Sequence, residues 1–160
     1  MIHNGQEFGE QYWFPEEGDG RVQPRPLRWA QRSDAIGQQL RWLYEKLAAI
    51  RKAHPALRSQ NFYPEPYDEG SRTFDSQGYG INELKDVAIF HRWGSDEGGA
   101  LERFMVVLNF SAFDQWVDIP FPDNGPWQDL LNGGGSQVND YWLRNERLGS
   151  HWGRVYFKPG

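Results

Sequence analysis

The sequence predicts a mainly β protein, an antiparallel β-sandwich preceded by a strand, a long loop and one helix. Only one segment has apolar residues at helical spacing, and it ends near residue 57. Beyond it, short runs of β-type residues alternate with Gly, Pro, Asn and Asp turn signals, a pattern typical of sandwiches. Aromatic residues make up 16% of the chain, which fits a pleated, half-buried sheet. We therefore predict two parts, residues 1–57 and an all-β domain over residues 58–160.

Charge and hydropathy limit the classes of partner. The formal net charge is -5, from 17 Lys and Arg against 22 Asp and Glu. This balance argues against nucleic acid or an anionic membrane surface as a partner. No apolar run approaches the length of a transmembrane helix, so we expect no membrane partner.

Cysteine is absent, which excludes disulfides, thiolate catalysis and cysteine-ligated metals. The absence favours the cytoplasm without fixing the compartment. The four histidines are scattered singly, whereas a metal site needs a short-spaced cluster. We expect neither a metal nor a cofactor in this chain.

The first ten residues, MIHNGQEFGE, are unusual for the start of a protein. Two apolar residues lead at once into a carboxamide and a carboxylate between glycines, Gln6 and Glu7. We interpret residues 1–6 as the end of a strand and residues 9–32 as a long polar loop. Loops that follow rigid strands often carry function, and so long a connection is usually functional. The prediction is an active-site rim in the tail of an enzyme.

One helix is predicted over residues 34–53. Its apolar residues fall on one face, continued by a residue beyond the helix: Ile36, Leu40, Leu43, Leu47, Ile50 and Leu57. Ser33 is the predicted N-cap, and Pro55 ends the helix near Ala53. Because this face needs an apolar surface, we expect it to pack on the β domain, to form a homodimer through Ile36–Leu57, or to meet a separate chain.

The strongest predicted strands are Val87–Trp93 and Phe104–Ser111, and the second is apolar on both faces, as a central strand would be. Weaker strands are predicted near Phe62 and Tyr79. Turns are predicted at residues 122–126 and at Gly133-Gly134-Gly135. The remaining predicted strands are Gln115–Phe121, Trp127–Leu131, Tyr141–Leu143 and His151–Phe157.

Several motifs, in order, resemble the α-amylase superfamily, glycoside hydrolase family 13. The first segment is similar to the end of the eighth barrel strand, where Ile2, Gly5, Gln6 and Glu7 match and His3 replaces a usually aromatic residue. The other four are similar to the following loop, the eighth barrel helix and two elements of the Greek-key C-terminal β domain: RPLRW, LRWLYEKLAAIRKAHPAL, FMVVLNFS and WQDLLNGG. The resemblance implies that residues 1–57 are a remnant of a (β/α)8 barrel.

The same resemblance implies that the three catalytic carboxylates lie on earlier barrel strands, outside this chain. Retaining glycoside hydrolysis needs two closely spaced carboxyl groups, so we expect the isolated chain to be inert. The parent enzyme would act on an α-glucan or malto-oligosaccharide, and any calcium would bind its missing part. The predicted substrate contacts, all at the barrel rim, are His3, Glu7, Tyr12 and Trp13.

Alternatives stay open for several of these residues. His3 could simply pack, and Tyr12 and Trp13 could plug the barrel rather than stack on sugar. The acid-rich stretch from Glu7 to Asp19 does not have the spacing of a calcium loop, so we expect a solvated loop with Glu7 as its one structural carboxylate. A free-standing glucan-binding module is also possible, with four candidate tryptophans: Trp116, Trp127, Trp142 and Trp152.

Overall fold

A computed structural model describes residues 5–10, 26–64 and 72–160. The chain divides into two compact units, Met1–Ala49 and Ile50–Gly160. The boundary expected from the sequence, between residues 57 and 58, stays a prediction.

The described part of the first unit is helical. It contains the 3-10 helices Gln6–Phe8 and Trp29–Ser33 and most of the α-helix α1, Ala35–Ala53. Of the strand predicted over residues 1–6, residues 1–4 lie outside the described residues, and Gln6 begins the first 3-10 helix. Of the loop predicted over residues 9–32, residues 11–25 lie outside them as well, and its last residues form the second 3-10 helix.

The N-cap of α1 is Asp34, not Ser33. The Gly37 backbone N–H donates to Asp34 Oδ1 at 2.7 Å, which satisfies one of the free amides of the first turn. Ser33 is not available as the cap because it ends the preceding 3-10 helix, where its carbonyl accepts a hydrogen bond from Gln38 Nε2. Ser and Asp are both good N-caps, and the extra 3-10 turn decides which of the two caps α1.

The apolar face of α1 is unevenly buried. Ile50 is buried, whereas Ile36 and Leu47 are 68% and 39% exposed. Among the helices that the structure describes, none is long and apolar enough to cross a membrane.

The second unit begins with the end of α1 and a 3-10 helix, Pro55–Arg58, and continues as strands. Most of them overlap the predicted ones: β1 Phe62–Tyr63, β2 Gly80–Asn82, β3 Val87–Ser95, β4 Leu101–Asn109, β5 Gln115–Pro120, β6 Gly125–Asp129, β7 Gly135–Val138, β8 Trp142–Leu148 and β9 Gly153–Pro159. Strand β7 was not predicted from the sequence. The left-handed φ angles of Gly133 and Gly134 form the expected turn, and the strand begins directly after it.

Within the described residues, the strands form a larger and a smaller antiparallel sheet. The larger sheet has the order β1-β3-β4-β9-β6-β7, with β2 also paired to β3, and the smaller one pairs β5 with β8. The central position predicted for β4 is confirmed, since β3 and β9 flank it. The last strand returns to lie between β4 and β6, the kind of long return that defines Greek-key sheets.

One apolar core lies between the two sheets. Val87 and Ile89 come from the larger sheet, Val117 and Ile119 from the smaller, and all four are almost fully buried. Trp127 is the largest buried side chain, at 1% exposure. Side chains of both sheets interdigitate in this way in β-sandwiches. The predicted fold class, a mainly antiparallel β-sandwich with one helix, is confirmed.

Candidate functional site

Of the four predicted substrate contacts, the structure describes one. His3, Tyr12 and Trp13 lie outside the described residues. Glu7 lies in the 3-10 helix Gln6–Phe8 and is partly buried. No predicted contact is therefore brought together with another, and their roles stay predictions.

Next to Glu7, the structure corrects one expectation about the acidic stretch. The buried carboxylate here is Glu10, whose side chain is 7% exposed and lies 2.6 Å from the Arg28 guanidinium. Glu10 also accepts the Arg28 backbone N–H at 2.7 Å. The flanking glycines make this possible, because Gly5 and Gly9 both adopt left-handed φ angles and a Cβ on Gly5 would come within 2.6 Å of Glu10 Cβ. A solvated loop was the wrong expectation for Glu10.

The second unit contains a cavity of about 480 Å³ at one end of the sandwich. This volume is within the range of small-molecule sites. Its walls come from β1 and β3 of the larger sheet, from β5 and β8 of the smaller sheet, and from the segments beside them. Most of the lining side chains are aromatic: Tyr63, Gln77, Tyr79, His91, Trp93, Pro120, Phe121, Pro122, Tyr141 and Trp142.

Strand alternation explains one wall. Every second residue of β3 faces the same way, so His91 and Trp93 continue the inner face begun by Val87 and Ile89. The face thus changes from aliphatic to aromatic as the strand leaves the core. The His91 and Trp93 rings are stacked, with centroids 4.8 Å apart, and Tyr63 of β1 pairs with His91 in the register.

Hydrogen bonds to the Asp75 carboxylate fix the residues of a second wall of the cavity. It accepts the Tyr63 hydroxyl at 2.8 Å and the backbone N–H groups of Gln77 and Tyr79 at 2.8 and 2.9 Å. The Tyr63 and Tyr79 rings then meet edge to face, 5.2 Å apart. The hydrogen bond to Asp75 raises the pKa of Tyr63, and burial raises that of Tyr79. Both phenols are therefore neutral near pH 7.

Tyr141 stands at the rim in a strained backbone conformation. Asp140 and Tyr141 form a two-residue hairpin turn with φ angles of 51° and 64°, a turn that favours Asn or Gly. A bulky side chain at positive φ costs free energy and often marks a functional position. The turn is fixed from both sides, since the Tyr141 N–H donates to Asn124 Oδ1 and its carbonyl accepts from the Phe121 N–H. The side chain is nevertheless 55% exposed.

The cavity is electrically neutral in its lining. Burial, reinforced by the Arg103 cation, lowers the pKa of His91 from 6.5 to about 4, although Asp123 opposes the shift. His91 is therefore a neutral imidazole near pH 7, and its Nε2 is buried without a hydrogen-bond partner. Apart from His91, no acidic or basic side chain lines this cavity among the described residues.

A second groove of about 420 Å³ lies on the other side of Trp142. The Trp142 ring separates the two spaces. Arg144 lies 4.3 Å from the ring centroid, and Gly78 packs so closely that a Cβ there would come 2.7 Å from Cη2. Asp118, at an irregularity in the pairing of β5 with β8, accepts hydrogen bonds from the Asn145 N–H and Arg144, which lower its pKa.

The four candidate tryptophans have different positions. Trp127 belongs to the core, and its indole N–H donates to the Asp123 carbonyl. Trp116 is 46% exposed in the second groove, Trp142 lines both spaces, and Trp152 is exposed but lines neither.

The first cavity can bind a neutral, partly apolar ligand, but it offers no pair of carboxylates for glycoside hydrolysis. Over residues 5–10, 26–64 and 72–160, no group of three or more His, Asp or Glu is arranged to hold a metal ion. The sequence analysis missed the His91 and Tyr141 contributions to this cavity. The signal for His91 was its place in the alternation of β3, and for Tyr141 a hairpin turn without glycine.

Comparison with solved structures finds chains that resemble this one. The chain matches an Anoxybacillus α-amylase with a TM-score of 0.49 and 18% identity, over 74% of this chain and 22% of that one. It also matches a glutamate-to-glutamine variant of AmyP in complex with maltotriose, with a TM-score of 0.51 and 17% identity, over 79% of this chain and 22% of that one.

The match to AmyP shows that this chain and that part of AmyP share a fold. This chain spans about a fifth of the length of the structures it matches. No family model and no curated protein matches the sequence.

Proposed function

We propose that this chain is the C-terminal part of an α-glucan-active glycoside hydrolase or transglycosylase of the α-amylase type. The observation that carries the proposal is the shared fold with AmyP over 79% of this chain. The ordered motifs support it, because the segments that resemble the family's C-terminal domain, FMVVLNFS and WQDLLNGG, coincide with β4 and β6 and the residues directly after them.

In this proposal, residues 1–57 belong to the last strand and helix of a (β/α)8 barrel, and the catalytic carboxylates are supplied by a part of the enzyme that precedes Met1. The isolated chain is then inert. Its Glu10–Arg28 ion pair is a structural element of the barrel mouth, since both Glu10 oxygens already accept hydrogen bonds from Arg28. Substrate binding by His3, Glu7, Tyr12 and Trp13 belongs to the same proposal.

The DNA upstream of the Met1 codon tests this directly. The proposal expects an in-frame Gly-x-Pro ending immediately upstream and an Asn-His-Asp motif further back. A stop codon in frame, with no such sequence in any nearby reading frame, would contradict it.

A dimer through α1 is a second proposal about partners. It is favoured by the exposure of Ile36 and Leu47 on the apolar face of α1, since large apolar side chains are costly to leave in water. Sedimentation velocity over a range of concentrations checks it. Ile36→Lys with Leu47→Lys should abolish a dimer, and a wild-type chain that stays monomeric at the highest concentration contradicts the proposal.

A further inference from the structure

We propose that the aromatic cavity at the end of the sandwich binds one pyranose ring of a neutral oligosaccharide. The site consists of Tyr63, Tyr79, His91, Trp93 and Tyr141, together with Gln77 and Trp142. This inference does not rest on the proposed function, because it requires only that the second unit bind a sugar.

The lining decides the class of ligand. A pyranose ring has an apolar face, which suits aromatic side chains, and a rim of hydroxyls, which needs hydrogen-bonding groups. Gln77 supplies an amide and Tyr141 a phenol hydroxyl to the lining.

Charge excludes the other common guest of an aromatic cage, a quaternary ammonium ion. No carboxylate among the described residues lines the cavity to attract a cation. The Asp75 carboxylate behind the lining already accepts hydrogen bonds from the Tyr63 hydroxyl and from two backbone N–H groups, and the Arg144 guanidinium lies on Trp142. An anion finds no cationic side chain in the lining either, so the ligand is neutral.

Tyr141 gives the second, independent observation. Its ring is 55% exposed at the rim, while its backbone is held at a φ of 64° by hydrogen bonds to Asn124 and Phe121. A fold that needed only a tight turn would be more stable with glycine at this position. We infer that the strained turn presents the tyrosine ring to the apolar face of the sugar.

The test is isothermal titration of the 160-residue chain with maltotriose, with tetramethylammonium as the cationic probe. Wild type should bind maltotriose weakly, with a dissociation constant on the order of 1 mM, and should not bind tetramethylammonium. Tyr141→Gly should weaken binding at least about tenfold while its melting temperature stays the same or rises. Gln77→Ala, which removes the amide from the lining, should weaken binding about fivefold.

Phe113→Ala is the matched control, since Phe113 is 74% exposed and lines neither cavity, and it should bind like wild type. The proposal is overturned if maltotriose gives no heat at tens of times the expected dissociation constant, if tetramethylammonium binds instead, or if folded Tyr141→Gly and Gln77→Ala both bind like wild type. This experiment measures binding and not hydrolysis. A negative result therefore contradicts the sugar site without bearing on the enzymatic proposal.

Discussion

His54 Nδ1 and Glu102 Oε1 lie 2.6 Å apart, joining the residue after α1 to strand β4. The Glu102 side chain is 8% exposed, and its second oxygen accepts the Ala56 backbone N–H at 3.4 Å. The His54 ring also contacts Phe104 and Phe157, with centroids 5.1 and 4.6 Å away. A buried carboxylate with few partners depends strongly on each of them.

Loss of this contact should destabilise the second unit. Glu102→Ala should lower the free energy of unfolding by about 3 kcal/mol, because it leaves His54 and the Ala56 N–H without their partner. Urea unfolding of Glu102→Ala, His54→Ala and the double variant gives the coupling energy. We expect at least about 1 kcal/mol of coupling, and strictly additive effects would contradict the contact.

The turn at Tyr141 predicts a stabilising substitution. Tyr141→Gly should raise the free energy of unfolding by about 1 kcal/mol, because glycine adopts a positive φ without steric cost. Tyr141→Ala is the control, since alanine also removes the ring but keeps the strain. Thermal unfolding should rank glycine above wild type and alanine no higher than wild type. An equal gain for both variants would show that the ring, not the backbone, is the source of strain.

Stability should depend on pH through His91. Its pKa is lowered to about 4 in the folded chain, so the unfolded chain binds more protons between about pH 4 and pH 6.5. The stabilising contribution of neutral His91 is complete above about pH 6.5 and is lost as the pH falls toward 4. Chemical unfolding across this interval should give a shallower pH dependence for His91→Phe than for wild type. Parallel profiles would contradict the lowered pKa.

Trp127 and Trp116 should contribute very differently to the free energy of unfolding. Trp127→Ala should lower the free energy of unfolding by about 3–5 kcal/mol, because Trp127 is 1% exposed in the core. Trp116→Ala should cost less than about 1 kcal/mol, since Trp116 is 46% exposed. Urea unfolding of the two variants measures the difference. Comparable losses would mean that Trp116 is also part of a packed interior.

Local periodicity predicted the fold well where a strand has a clear face. The strands around Ile89 and Val107 were predicted because alternation and branched side chains agree there, and the end of α1 because Pro55 cannot continue a helix. Strand β7 was not predicted because its residues, Gly135–Val138, show little apolar alternation. They form a strand through hydrogen bonding with β6.

The cavity could not be predicted in the same way. Tyr63, His91 and Tyr141 are far apart in sequence and meet only through the register of β1 with β3 and the pairing of β5 with β8. The neutrality of His91 depends on burial and on Arg103, neither of which a sequence pattern contains. Glu10 was likewise misjudged because its partner, Arg28, is separated from it by a long stretch of chain.

The most direct test of the enzymatic proposal is the release of reducing ends from soluble starch. It is measured in parallel for the 160-residue chain and for the polypeptide extended upstream through its open reading frame. The account predicts hydrolysis by the extended polypeptide and none by the chain alone. Turnover by the chain alone that a single carboxylate substitution within residues 1–160 abolishes would contradict it.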